Sequence, residues 1–275
     1  RGFIKTGLGK RIAYNLIAAF GSSSLRLAYA LALSDLILAP ATPSNTARVG
    51  GVIMPITTSL AKAFGSEPQN GPRKIGSFLM QSIYQVNTIT SAMFQTSMAG
   101  NTLVAALALQ SFGIGITWGD WAMAAIVPGI IALLIMPYFI YKVYPPEIRD
   151  AREAQQMIRE ELKGLGKMSF QEWVMLGVFI LALVLWATSQ FTKLDATTVA
   201  FLGISILLAT GVLIWDDVKS EKGAWDTLVW MGTLMGFAGF LSKLGFIKWA
   251  TVQVSGVIPE GSWVIAFVIA VLVNT

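Results

Sequence analysis

Apolar residues fall in long blocks along this chain, and the polar positions between and inside the blocks predict its elements. Residues 121–141 and 197–215 contain no Asp, Glu, Lys or Arg, and 170–189 carry one charge, Glu172, in the opening turn. Each block approaches the roughly 20 residues that a helix needs to cross the hydrocarbon core of a bilayer. Lys74 and Asp120 enclose another uncharged stretch, but its middle reads Gln95-Thr96-Ser97-Met98-Ala99-Gly100-Asn101-Thr102. A polar break at membrane depth strands backbone groups unless protein or water covers them. The pattern therefore predicts one discontinuous helix over 75–118, broken near Ala99 and Gly100. Over 25–64, two short apolar helices flank Pro40-Ala41-Thr42-Pro43-Ser44-Asn45-Thr46, which predicts a re-entrant hairpin with a polar tip. Residues 8–20, with Lys10 and Arg11 at the start, read as an amphipathic helix lying along the interface within a region 1–24. The long hydrophilic stretch 145–169 reads as a solvated surface helix linking two halves. A membrane helix over 119–144 precedes it, and three more over 170–241 follow.

Composition agrees with that class. Of 275 residues 55% are hydrophobic and 13% charged, with a mean hydropathy of +0.64, more apolar surface than one soluble core of this length buries. The expected fold is an all-α polytopic membrane protein. With no Cys and no His, disulfides, thiolate metal sites, cysteine nucleophiles and the commonest general base are excluded, and no metal-ligating cluster is expected. The net charge of +5 sits in short clusters between apolar blocks rather than along an aromatic-rich face. That distribution marks cytoplasmic loops and argues against nucleic acid. If 145–169 is cytoplasmic, alternating the spans puts 5–11, 62–74 and 215–226 on the same side and 112–120 and 190–195 on the other. Opening on Arg1-Gly2-Phe3 and closing on Val273-Asn274-Thr275 within an apolar run, the chain reads as a fragment cut from a longer protein.

A shift of 238 places Lys5 on Lys243, Gly7 on Gly245, Lys10 on Lys248, Ser24 on Ser262, Ala28 on Ala266 and Ala32 on Ala270. The order of elements matches too: a basic-glycine turn, an interfacial helix, then the first arm of a hairpin, so that 242–275 begin a second, truncated copy. With the loop sides above, the copies are inverted, the architecture of many secondary transporters.

The run Ala39-Pro40-Ala41-Thr42-Pro43-Ser44-Asn45-Thr46-Ala47-Arg48, followed by Gly50-Gly51, resembles the first Ser-Asn-Thr hairpin of the divalent anion/sodium symporter (DASS) family. More narrowly it is similar to the branch of 2-oxoglutarate/malate translocators and citrate/succinate antiporters. The resemblance covers essentially the whole chain. It implies transport of small di- and tricarboxylates by an elevator-like movement in a homodimer, in a bacterial inner membrane rather than a plastid envelope, with no cofactor unless sodium is coupled.

The residue chemistry suits such a substrate. Asn45, Thr46 and the backbone N–H groups that open the helix near Ala47 are neutral donors at the positive end of a helix dipole. Ser44 and the unwound carbonyls before it suit a cation. The plainer reading is that Ser44 or Asn45 merely caps the helix. By the resemblance Ala99, Gly100 and Asn101 supply backbone support against the hairpin tip; alternatively Gly100 only lets helices pack closely, and Thr96 and Ser97 only bond their own backbone. Arg48 is costly inside a membrane. It is expected to stand in for sodium as a fixed cation, and an unneutralised charge in the empty carrier would then enforce exchange. The alternative pairs it structurally with Asp35. Trp118, Trp121, Trp173, Trp225 and Trp263 are expected as interfacial anchors, Met54 and Met98 as packing. Two rivals stand beside an antiporter: a sodium-coupled dicarboxylate symporter, and an intramembrane enzyme or channel.

Overall fold

The computed structural model describes residues 1–255, which are helical with no strand among them. They fall into two units, divided between Val218 and Lys219. The first opens with α1 (Gly2–Thr6) and α2 (Leu8–Phe20), separated by Gly7 at φ 80°, a left-handed turn that a side chain would disfavour. α2 buries Leu8, Ala13, Tyr14 and Ile17. α3 (Ser24–Leu38) starts at Ser23, whose Oγ accepts the Arg26 N–H, and tightens at Pro40 into a 3-10 turn over Ala39–Ala41. The chain returns through α4 (Asn45–Arg48), a π-helical turn over Val49–Ile53 and α5 (Met54–Ala63). That π turn, a feature concentrated at functional sites, contains Gly50 and Gly51 and was not visible in the sequence pattern.

α6 (Gly76–Met93) is followed by a 3-10 turn at Gln95–Ser97 and then α7 (Ala99–Phe112), which Gly113 ends at φ 68°. α8 (Trp118–Val143) begins with a reciprocal Thr117/Asp120 cap and continues through Pro128 and Pro137. After α9 (Arg152–Gly164), a Ser169/Glu172 cap starts α10 (Phe170–Ala187). The short α11 (Ser189–Thr192), α12 (Ala196–Ala209) and α13 (Trp215–Lys219) complete this part. The second unit contains α14 (Lys222–Lys243) and α15 (Phe246–Ser255), with Gly245 at φ 75° between them. The same left-handed glycine thus precedes α2 and α15, the two helices that the 238-residue shift superimposes. The expected first arm of a second hairpin, including Ser262, Ala266 and Ala270, lies outside the described residues, as does Trp263.

Among the described residues, three helices are long and apolar enough to cross a membrane: Ser24–Ala41, Trp118–Val143 and Phe170–Ala187. The block 197–215 is shorter than its apolar length suggested. Gly211 at φ 72° follows Thr210 and ends α12 after 14 residues, about 21 Å at 1.5 Å per residue.

One peptide strap sorts the helix ends by side. Leaving α8, the chain donates Glu147 N–H to Arg73 O (3.0 Å) and Ile148 N–H to Lys74 O (2.9 Å), then accepts the Ser24 N–H at Arg149 O (3.0 Å) and gives Ala151 N–H to Ser22 O (3.2 Å). The foot of α3, the turn after α5 and the end of α8 therefore share one face, so the hairpin returns to the side from which it starts. Arg11 joins that face through Gly166 O (2.9 Å) and Glu172 (2.6 Å), and Lys5 through an ion pair with Asp217. At the other end Gln190 Nε2 donates to Asp120 Oδ1 (3.1 Å). These are the same two groups of loops that the Lys and Arg pattern separates. The linker itself differs from a solvated helix. α9 lies along α2 with Ala154 and Ile158 buried, and both Gln155 and Arg159 donate to Ala18 O near the end of α2 (each 2.9 Å at the closest). Two amphipathic helices gain by docking their apolar stripes against each other.

α6 and α8 pack closely where Gly129 meets Met93. A Cβ on Gly129 would lie 2.6–2.8 Å from three Met93 side-chain atoms, and Met93 is buried. Gly129→Ala should therefore destabilise the protein by about 1–3 kcal/mol. A thermal unfolding scan checks this, with Met93→Ala in the same chain expected to recover part of the loss.

Candidate functional site

Two non-helical turns meet inside the first unit. One is the hairpin tip, residues 39–44. The other is the break, where Phe94 (φ −128°, ψ 141°) and Met98 (φ −149°, ψ 141°) are extended on either side of the 3-10 turn. The break thus lies at 94–98 and not at Ala99 and Gly100, which are the first two residues of α7. Neither extended residue needs a positive φ, so no glycine is required there. Side chains satisfy the backbone groups that the break strands. Asn101, 6% exposed, donates through Nδ2 to Ser91 O (2.7 Å) and Phe94 O (2.9 Å), and Ser97 Oγ lies 2.6 Å from Ser91 O. Asn101 therefore supports the break with its side chain as well as its backbone, whose N–H donates to Met98 O (3.1 Å).

The two turns are tied by a hydroxyl and by a guanidinium. Thr96 Oγ1 donates to Pro40 O at 2.5 Å. Arg48 is 1% exposed and directs Nη1 at Thr42 O (3.2 Å) and Ser97 O (3.4 Å), one carbonyl from each turn. Its Nε donates to Asp35 Oδ1 (2.8 Å), and Nη2 reaches Asn87 Oδ1 (3.0 Å), Thr90 Oγ1 (3.1 Å) and Ser91 Oγ (3.0 Å). Thr90 Oγ1 also donates to Asp35 Oδ2. These acceptors engage all five guanidinium N–H groups, so none is left for a ligand. The expectation of an unneutralised Arg48 charge is corrected. Asp35, on the opposite arm of the same hairpin and 2% exposed, balances it. What Arg48 does occupy is the seat between the carbonyls of both turns, where electronegative oxygens would otherwise face one another.

The donors that remain are at the helix starts. Ser44 Oγ accepts the Ala47 N–H (3.2 Å), and Asn45 Oδ1 accepts the Thr46 N–H (2.8 Å), so Ser44 and Asn45 do cap α4. Capping leaves the Asn45 Nδ2 group without an acceptor among the described residues, on a half-buried side chain beside exposed Ser44 and Thr46. α7 has no side-chain cap, and the Ala99 and Gly100 N–H groups have no acceptor among the described residues. The spare Asn45 amide opens α4 and the spare Ala99 and Gly100 N–H groups open α7, neutral donors on the two tied elements that suit an anion. A cavity of about 340 Å³ borders the hairpin turn and the start of α7, lined by Pro43, Thr96 and Ala99 and by Phe179, Ala182 and Val199 of α10 and α12. No group of three or more potential metal-ligating side chains occurs among the described residues.

Several expectations for single residues change. Trp118 is buried, 9% exposed, and is no interfacial anchor, whereas Trp173 and Trp225 face outward. Met54 and Met98 are exposed rather than packed, and Met98 lines the cavity. Asp35 is the structural partner that the sequence offered for Arg48, whereas Asn87, Thr90, Ser91 and the Trp118–Thr96 contact escaped sequence reasoning. The signal for three of them was present: Asn87, Thr90 and Ser91 recur at helical spacing on one face of an uncharged segment.

The model of the sodium:sulfate symporter transmembrane region matches residues 1–275. The chain is 50% identical over 270 residues to "Putative malate transporter YflS" of Bacillus subtilis (strain 168), covering 98% of this chain and 56% of that protein. It is 44% identical over 273 residues to "Inner membrane protein YbhI" of Escherichia coli (strain K12), covering 99% and 57%. It is also 44% identical over 275 residues to "Dicarboxylate transporter 1, chloroplastic" of Spinacia oleracea, covering 99% and 48%. The chain spans about half the length of the curated relatives it matches.

Proposed function

The chain belongs to the sodium:sulfate symporter family, the divalent anion/sodium symporters, a family of multi-pass membrane transporters and not of enzymes, and from that premise we propose that it carries the binding hairpin of a sodium-independent dicarboxylate exchanger. One observation carries the reading: two broken elements are tied to each other, one opening α7 with unspent Ala99 and Gly100 N–H groups and the other opening α4 with the spare amide of half-buried Asn45 beside exposed Thr46. Neutral donors at two helix starts replace the hydration of a carboxylate without a lysine or arginine that would hold it too tightly. The names of the relatives, malate and dicarboxylate transporters, favour the same substrate class.

The Arg48 geometry supports independence from sodium. A tethered guanidinium, already neutralised by Asp35, fills the seat between Thr42 O and Ser97 O that a mobile cation would otherwise take. Exchange then follows from solvation rather than from net charge: occluding an empty site strips water from the Asn45 amide and the α7 N–H groups with nothing in return. The face carrying the strap is cytoplasmic by the positive-inside rule. The hairpin with α6 and α8 moves as one body against α10 and α12, across the apolar cavity, in a homodimer.

The test uses the full-length carrier in vesicles preloaded with malate, succinate, citrate or 2-oxoglutarate, with labelled 2-oxoglutarate outside. The expected result is influx only against an internal acid, unchanged when sodium is replaced by choline. Sodium-driven influx into vesicles holding no acid would establish a symporter instead.

A further inference from the structure

Trp118 begins α8 some twenty residues after the break, yet it returns to it. Its ring stacks on Phe94, within the break, at 5.7 Å and 17°, and on Trp186 of α10 at 6.2 Å and 16°. Its Nε1–H donates to Thr96 Oγ1 at 2.9 Å, and the same hydroxyl donates to Pro40 O. An indole N–H can only donate, and a hydroxyl has a single proton. Trp118 therefore occupies a lone pair of Thr96 and leaves the Thr96 proton to point at the hairpin carbonyl. The chain of bonds has one direction, from α8 through the break to the hairpin turn. Stacking on two sides holds the indole so that this direction is kept.

Arg48 ties the two turns from the buried side. Thr96, Pro40 and Trp186 line the cavity, so the Trp118–Thr96–Pro40 chain ties them on the side where a ligand would arrive. From this we propose that Trp118 and Thr96 are positioning residues for the carboxylate site: together they hold the break that opens α7 at Ala99 against the hairpin turn that leads to Asn45. This rests on the dicarboxylate reading above and adds residues that touch no substrate. Affinity depends on donors held in place before the ligand arrives, so loosening this tie weakens binding more than it slows movement.

The experiment measures KM and maximal rate of homoexchange by the full-length carrier, with the affinity of the purified protein for 2-oxoglutarate by calorimetry. Trp118→Phe keeps a ring between its two neighbours and removes the N–H. Thr96→Val keeps shape and removes the hydroxyl, and Thr96→Ser keeps the hydroxyl. Trp118→Phe and Thr96→Val should each raise KM and Kd by about three- to tenfold, the worth of one net hydrogen bond, with maximal rate within about twofold. Thr96→Ser should stay near the unsubstituted carrier. The double variant Trp118→Phe/Thr96→Val should bind no more weakly than Thr96→Val alone, because both remove the same chain, whereas separate packing defects would multiply. An unchanged KM in Trp118→Phe, or multiplying effects in the double variant, overturns the proposal. If Trp118→Phe fails to fold, the contrast of Thr96→Val with Thr96→Ser decides: equal KM values overturn it. Failure of the unsubstituted carrier to bind any dicarboxylate overturns the reading of the site itself and this proposal with it.

Discussion

Arg48→Ala abolishes exchange by the reconstituted full-length carrier and lowers its unfolding temperature in the same preparation. The side chain is 1% exposed, and its removal leaves Asp35, 2% exposed, without its cationic partner. Breaking a buried ion pair by deleting one member costs about 3–5 kcal/mol. It also frees Thr42 O and Ser97 O from the donor that holds the hairpin turn against the break. Stability and activity separate in the double variant Asp35→Asn/Arg48→Ala. With both charges gone the uncompensated carboxylate is gone too, so most of the stability returns, but the bridge between the turns stays missing and exchange does not. Influx assays with a thermal scan on the same protein check both parts. Undiminished exchange in Arg48→Ala would remove Arg48 from the site, and exchange regained in the double variant only with sodium would identify the seat as one that a free cation can fill.

Asn45→Ala gives the second large effect and leaves the fold alone. Its Oδ1 accepts only from neighbouring Thr46, so the loss to stability stays below about 1 kcal/mol. Its Nδ2 is the donor left over for a carboxylate, and a hydrogen bond to a charged group contributes about 1.5–3 kcal/mol, about 10- to 150-fold in affinity. Dicarboxylate affinity measured by calorimetry should fall by that factor with the unfolding temperature nearly unchanged. Ser44→Ala supplies the contrast: it removes the oxygen that accepts the Ala47 N–H, so it costs about 1 kcal/mol of cap stability. Equal affinity in Asn45→Ala and the unsubstituted carrier would assign Asn45 to the cap alone.

The elements of this protein were legible because each is a local property of the chain. Gly7 and Gly245 at the turns, Pro40 at the hairpin tip and the polar run after Phe94 all act on their own backbone. The sidedness of the loops was legible as well, since Lys and Arg placement is a property of short segments. The break at 94–98 lies just before the Ala99 and Gly100 expected for it, because extended backbone at Phe94 and Met98 needs no glycine.

Sequence by itself determined that the chain is an all-helical membrane protein with a hairpin and an interrupted helix, and it marked residues 40–46 as the polar tip. Only the tertiary structure decided what Arg48 and Trp118 do. Arg48 is separated from Asp35 by 13 positions, from Asn87 by 39 and from Ser97 by 49, and Trp118 from Thr96 by 22. Which partner satisfies a buried charge or an indole N–H depends on which helices are brought side by side, and no local pattern of polar and apolar residues encodes that choice.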